Sequence, residues 1–487
     1  MPLHIDSRGL ALTASLPSTP AMFDEAVNAY LGMRKDTLLR AAALTESDSA
    51  CVLAHCFNGY LQMHACQSEG ARRAQQSLDR AKEIARRSRV MPREEFHIAA
   101  LESWWKGDLI GAVNSWETIL AEFPLDLLAL RLAQFMTSYL GRSTAIRDSV
   151  AQVLPAWDPG LPGYGFVLGC YAYGLEEAGE YDEAERFGRH AVELNPKDLW
   201  AAHAVTHVME MTGRVREGMD WIETSRHNWQ ECGTFVNHLW WHCGLLHLAA
   251  EEYGLALDLY DRKVSAKESD EYLDIANACA LLWRIEQAGV DAGLRWEELA
   301  ERARRHCGEH CFVFVDLHYA IAIAAGAKTA TSVEDLVNSF ARYASDPHRP
   351  CTESQVMREV GLPVAKAAIA HRNGEYDRAA DLLLPVKDII HRVGGSHAQR
   401  DIFHQMLSDA AIRANRLALA RALLTEQIEK RPHDLWAWRT LATLCETLDD
   451  VHGAASARAT ITRILASGGT ASALGNALKP SPESASR

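Results

Sequence analysis

The sequence predicts an all-α solenoid of stacked helix–turn–helix units, on three observations: small and large residues recur at fixed places in a window of about 34 residues, a short turn repeats between paired helices, and no stretch alternates apolar and polar residues for long. The recurrence carries most weight. Counted from Gly165, Leu168 falls at position 4, Ala172 at 8, Ala184 at 20, Ala191 at 27 and Pro196 at 32. A window from Arg93 places Phe96, Ala100, Ala112 and Pro124 at 4, 8, 20 and 32. From Asp401 the count gives Ala420 and Pro432 at 20 and 32, and from Leu435, directly in tandem, Trp438, Ala442 and Ala454 at 4, 8 and 20. Asn237 starts a fifth window, with Trp240, Gly244 and Ala256 at 4, 8 and 20.

This is the tetratricopeptide pattern, and it has a physical basis. Small residues at 8 and 20 let the first and second helix of a unit approach closely. A large residue at 4 fills the space between units, and Pro near 32 ends the second helix because it cannot extend the hydrogen-bond ladder. One unit cannot bury its own apolar face, so units must stack. The turns Ala178-Gly-Glu-Tyr-Asp, Ala250-Glu-Glu-Tyr-Gly and Arg372-Asn-Gly-Glu-Tyr-Asp recur at the same place and form an independent signal. With no period-two stretch, no sheet is expected. Residues 1–20 and 467–487 lack periodicity and read as a loose extension and a flexible tail around one repeat domain, 21–466.

Composition narrows the function classes. The chain has 487 residues, 48% of them hydrophobic, and carries 50 basic against 64 acidic residues, a net charge of −14. Nucleic acid and anionic membranes want the opposite sign, so neither is expected as a partner. The apolar run Tyr319–Ala327 is too short to cross a bilayer, and the first residues do not read as a secretory signal. Eleven cysteines, several within helical patterns, read as reduced thiols of a cytoplasmic protein.

The chemistry-bearing residues gather in two adjacent units. In the unit starting at Leu199, His203, His207 and Glu210 occupy positions 5, 9 and 12. In the unit from Asn237, His238 and His242 occupy positions 2 and 6. Each pair is spaced i, i+4 and projects from one helical face, with Glu210 three residues after His207 on the same face. A single such pair is more often structural than metal-binding. Two pairs on neighbouring groove-facing helices, with a carboxylate in register, have the composition of a metal site. The helix reads His-Ala-Val-Thr-His, so Ala204 stands where a zincin carries its base, and Glu210 is the nearest carboxylate for proton transfer.

Asp316 and His318 are candidates to complete the shell, although two residues apart they cannot share a face. Asp274 is a further one. His306-Cys307 and His310-Cys311 look like ligands but sit at a helix end, where solvated histidines are common. The stretch from Gly394 to Asp401 reads as a turn and capping box, with Ser396 and Gln399 reciprocally bonded. Its amides and Arg400 could hold an anion, but an ordinary helix start is the stronger reading. No Walker loop, dinucleotide fingerprint or Gly-x-Ser-x-Gly elbow is present.

Several strings resemble the tetratricopeptide-repeat protein 38 family: His203-Ala-Val-Thr-His-Val-Met-Glu-Met, His238-Leu-Trp-Trp-His, Asp316-Leu-His, Val360-Gly-Leu-Pro and Gly394-Gly-Ser-His-Ala-Gln-Arg-Asp-Ile-Phe. The likeness runs in the same order from about Phe23 to Glu429. It implies an all-helical repeat fold bearing these strings, and no settled reaction. The unit holding His203 departs from the packing template, with Thr206 and Gly218 at positions 8 and 20, which marks it as shaped by a site.

Two functions follow. In the first, His203, His207, His238 and His242, with Asp316 or His318, hold a divalent metal, zinc or iron, and the protein hydrolyses a small amide or ester with Glu210 moving the proton and Trp240 and Trp241 walling the pocket. In the second, the chain is a non-catalytic tetratricopeptide scaffold whose concave groove holds a peptide or partner protein.

Overall fold

The computed structural model describes residues 3–265, 269–326, 330–347 and 351–477, and these are almost entirely helical. Paired antiparallel helices follow the sequence windows: Pro92–Trp105 with Leu109–Glu122, Tyr164–Glu177 with Tyr181–Leu194, Leu199–Met211 with Val215–Ser225, Phe235–Ala249 with Tyr253–Leu259, His397–Arg413 with Leu417–Lys430, and Leu435–Thr447 with Val451–Ala477. The small residues work as the pattern requires. Ala172 and Ala184 are fully buried, and a Cβ added to Gly188 would stand 2.6 Å from Val205 Cγ2.

Two local devices set the repeat. The turn between paired helices bends through a left-handed residue: Gly179 (φ +82°), Glu251 (+61°) and Gly374 (+78°). The junction between units is a Pro-x-Asp-Leu string, Pro124–Leu127, Pro196–Leu199 and Pro432–Leu435, in which Pro closes one unit and Asp caps the next. Asp126, Asp198 and Asp434 each accept the N–H of the residue three positions on, at 2.9 to 3.0 Å.

The array turns back on itself. Gly141 packs against the carbonyl of His391, Gly394 against Tyr139, and the rings of Tyr139 and Phe312 stack at 4.0 Å. Helix His397–Arg413 lies on Tyr272–Gln287, and Arg439 reaches the carbonyl of Ala249 at 2.8 Å. The inner face of the central units is thereby covered by the chain itself.

Three expectations are corrected. Residues 3–20 are not a loose extension: β1 (Leu3–Ile5) and β2 (Ala11–Thr13) form an antiparallel hairpin, and the first helix begins at Thr19. Asp6 closes the turn by accepting the N–H groups of Arg8 and Leu10, and Glu94 fastens the hairpin to the array through Thr13. Strands of three residues are too short to show a period. At the other end the last helix runs on to Ala477, and the rest of the expected tail, 478–487, lies outside the described residues. The cysteines are not all free: Cys66 and Cys311 form a disulfide across 245 residues, with Cα atoms 5.3 Å apart.

Candidate metal centre

Asp198 starts helix Leu199–Met211 by accepting the N–H groups of Trp200 and Ala201, and the helix then presents His203, His207 and Glu210 inward. Helix Phe235–Ala249, one repeat on, presents His238 and His242 beside them. The four rings meet. Nε2 of His203 lies 2.9 Å from Nε2 of His207 and 3.0 Å from Nε2 of His238. The His242 ring centre is 4.4 Å from that of His207 and 4.7 Å from that of His238. One nitrogen from each ring lies within 4.8 Å of one from each of the others. None of the four is more than 3% exposed.

The outward nitrogens explain the orientation. Nδ1 of His207 faces Glu176 Oε2 at 3.2 Å, Nδ1 of His238 faces Asn277 Oδ1 at 3.2 Å, and Nδ1 of His242 faces Glu210 Oε2 at 2.7 Å. Asn277 and Glu210 draw the ring protons of His238 and His242 to Nδ1 and leave each Nε2 as a bare lone pair turned inward, as in metal-bound histidines, and the Glu176 carboxylate stands beside His207 Nδ1 without a well-formed hydrogen bond. His242 Nε2 is buried without a hydrogen-bond partner. Lone pairs crowded at about 3 Å in a dry interior repel, and a shared proton relieves only one pair at a time. A cation satisfies all four. Tetrahedral ligands at about 2.05 Å from zinc stand about 3.3 Å apart and right-angle ligands about 2.9 Å, so the spacings of 2.9 and 3.0 Å lie in the range of metal ligands, nearer the right-angle value.

Electrostatics favour neutral rings at three of the four histidines. Burial, together with the neighbouring rings, holds His203, His238 and His242 well below the ordinary imidazole value. His207 goes the other way: burial opposes its charge, but the Glu176 carboxylate beside it raises it. Trp241 stacks on His238 with 12° between planes, and Trp200 and Tyr173 flank His203, so an aromatic wall keeps the group dry.

The other expected residues lie elsewhere. Asp316 accepts from His310 Nδ1 at 3.0 Å. His318 donates through Nδ1 to the carbonyl of Phe314 at 2.7 Å, and its ring lies between Phe314 and Phe403. Neither joins the four histidines. Both belong to a later helix, Val313–Gly326, separated from the site by helix Tyr272–Gln287. Asp274 bonds Asn237 and Ser269 instead. Trp241 walls the site, while Trp240, one residue earlier, faces Lys263. Cys311 is taken by the disulfide, and His310 by Asp316 and Ser339.

Sequence reasoning missed Glu176, Glu177 and Asn277. Glu176 occupies position 12 of the Gly165 unit, the same place Glu210 holds in the next, so the position count that found one finds the other. Glu177 resolves the Gly394 motif. The capping box of Ser396 and Gln399 forms, and the carboxylate accepting from the helix amide is Glu177, at 3.0 Å from the His397 nitrogen and 3.8 Å from Arg400. The expected anion is a side chain of the same protein.

Glu210 also touches a second feature. It lines a cavity of about 570 Å³ whose wall includes Leu245, Leu246, Arg284, Asp401 and Arg431. The histidines are therefore sealed, with one carboxylate between them and this space.

No family model matches the chain. Among solved structures it is similar to the Rap protein complexed with competence and sporulation factor (11% identity, 86% of this chain and 98% of that one, TM-score 0.36) and to the human IFIT1 dimer with m7Gppp-AAAA (14%, 93% and 95%, 0.39). Among the described residues no helix is long and apolar enough to cross a membrane.

Proposed function

We propose that this chain is a helical-repeat binding protein built around a metal held by His203, His207, His238 and His242, with its ligand in the adjoining cavity bounded by Glu210. The observation that carries this reading is the convergence of four buried imidazoles, of which His207, His238 and His242 turn their outer nitrogens to Glu176, Asn277 and Glu210. Neutral imidazole suits zinc and iron alike, and either fills the role. The resemblance to the tetratricopeptide-repeat protein 38 family supports it, because the shared strings contain all four histidines and Glu210.

Four buried imidazoles would hold the ion out of contact with solvent, as suits a metal that holds a fold together. The four helical positions come from two neighbouring units, so the metal locks one repeat to the next. A peptide or small molecule then meets the protein in the cavity rather than at the histidines, which solvent does not reach.

One observation favours hydrolysis of a small amide or ester as a second reading: Glu210 spans the distance between His242 and the cavity. A bound metal supplies an acidified water and a polarised carbonyl. Within the chain, Glu210 fixes the His242 ring and is the carboxylate placed to exchange a proton with the cavity.

Titration of metal-free protein with zinc and with iron(II) tests the binding reading through Trp241, whose ring stacks on His238. Saturation at one metal per chain with a change in tryptophan emission supports it, and no binding refutes it. Release of acid from a panel of small esters and amides, lost in Glu210→Gln with metal retained, moves the assignment to the hydrolase.

A further inference from the structure

We infer that the cavity beside Glu210 binds a small monocarboxylate with an apolar tail, its carboxylate on Arg284. This rests on the binding reading and names its ligand class. Three arginines line the cavity. Arg431 pairs with Asp401 at 3.0 Å and lies 3.6 Å from Asp434. Arg439 lies 3.4 Å from Glu251. Arg284 has no carboxylate within 4.0 Å among the described residues. It donates only to main-chain carbonyls, Ala280 at 3.0 Å and Ala398 at 3.2 Å, although it is just 9% exposed. A buried guanidinium held by neutral acceptors lacks a direct ion pair; burial lowers its proton affinity, and the more distant carboxylates of Asp401 and Glu210 offset only part of that.

The acids nearby do not fill the gap. Glu210 is engaged by His242, and Asp401 is already shared among Arg431, Gln405 and Gln427. A ligand carboxylate meets the guanidinium with charge-assisted and, from its planar fork, paired hydrogen bonds. Leu245, Leu246, Leu248, Ile412, Leu435 and Trp436 give the wall an apolar part, beside polar residues that include Glu210, Glu251, Asp401 and Asp434. A volume of about 570 Å³ lies within the usual range of small-molecule sites. Of the charged groups in the lining, Arg284 is the guanidinium without a direct ion-pair partner among the described residues, and together with the apolar part of the wall it suits a molecule with one anionic end and an apolar tail.

Calorimetric titration of the full-length, metal-replete protein with dodecanoate, dodecanol and methyl dodecanoate tests this. The expected result is binding of the acid at least tenfold tighter than of the alcohol or ester. Arg284→Met erases the preference while metal content and circular dichroism stay unchanged, and Arg284→Lys keeps part of it. Leu248→Trp, which adds bulk at an apolar lining residue, weakens the acid and the ester together, so the test does not depend on Arg284→Met folding. Equal binding of acid and ester, no binding of the acid, or a preference that survives Arg284→Met overturns the proposal. Because metal content is measured on the same samples, a protein without metal that still prefers the acid refutes the metal centre alone.

Discussion

Glu176 places a carboxylate oxygen 3.2 Å from Nδ1 of His207, with both side chains buried and neither Glu176 oxygen in a well-formed hydrogen bond. The pair sits behind the histidine group, where a carboxylate fixes a ring and raises its strength as a ligand. Glu176→Gln is therefore expected to weaken metal affinity by about 10- to 100-fold. The exposed Glu183→Gln, on the following helix, leaves it unchanged. Competition against a chelator of known affinity measures both, and equal affinities in wild type and Glu176→Gln contradict the assignment.

Its neighbour Glu177 has a different task. It accepts the His397 N–H and a 3.0 Å bond from Ser143, joining two distant parts of the array. Glu177→Ala removes that cap and is expected to cost about 1–2 kcal/mol in urea unfolding, with metal content retained. Loss of metal without loss of stability reverses the division of labour between the two acids.

Much of this was legible in the residues. The helical repeat was, because small residues at positions 8 and 20 and the recurring turns are local consequences of packing neighbouring helices. So were the four histidines, since i, i+4 spacing on two successive units fixes a shared face. Asp316 and His318 misled because their likeness to ligands lies in residue type, and only the stacking order shows that another helix intervenes. The anion expected at Gly394 was the clearest limit: the partner of those amides is Glu177, 220 residues earlier, and no local pattern reports a contact made by closure of the array.

That closure gives a steric test. Gly141 adopts φ +65°, and an added Cβ would collide with the carbonyl of His391. Gly179 has a similar φ of +82° but nothing within 4 Å of an added Cβ. Gly179→Ala is expected to cost about 1 kcal/mol from backbone strain alone, and Gly141→Ala well over about 2 kcal/mol. Thermal unfolding of the two variants checks this, and equal losses contradict the described packing.

The buried Glu353 predicts a pH dependence. Burial pushes its carboxyl up to about 8 from an ordinary 4.5, while one oxygen accepts the Val313 N–H at 2.6 Å. A folded-state value above the unfolded one means that this group's contribution is full below about 4.5 and is lost as pH rises through about 8. Glu353→Gln keeps the acceptor without the charge. Its stability relative to wild type is expected to rise between pH 5 and pH 9 by on the order of 3–5 kcal/mol. Urea unfolding at those pH values measures it, and a difference that does not change with pH rejects the account.

The central claim is that four histidines from two adjacent repeats hold one metal. Elemental analysis of protein purified without a histidine tag tests it most directly, on the wild type and on His207→Ala, His242→Ala and the exposed His391→Ala. The account predicts close to one zinc or iron per chain in the wild type and in His391→Ala, and a small fraction of that in the other two. Wild-type protein that carries no metal, and takes up none when zinc or iron is supplied, contradicts it.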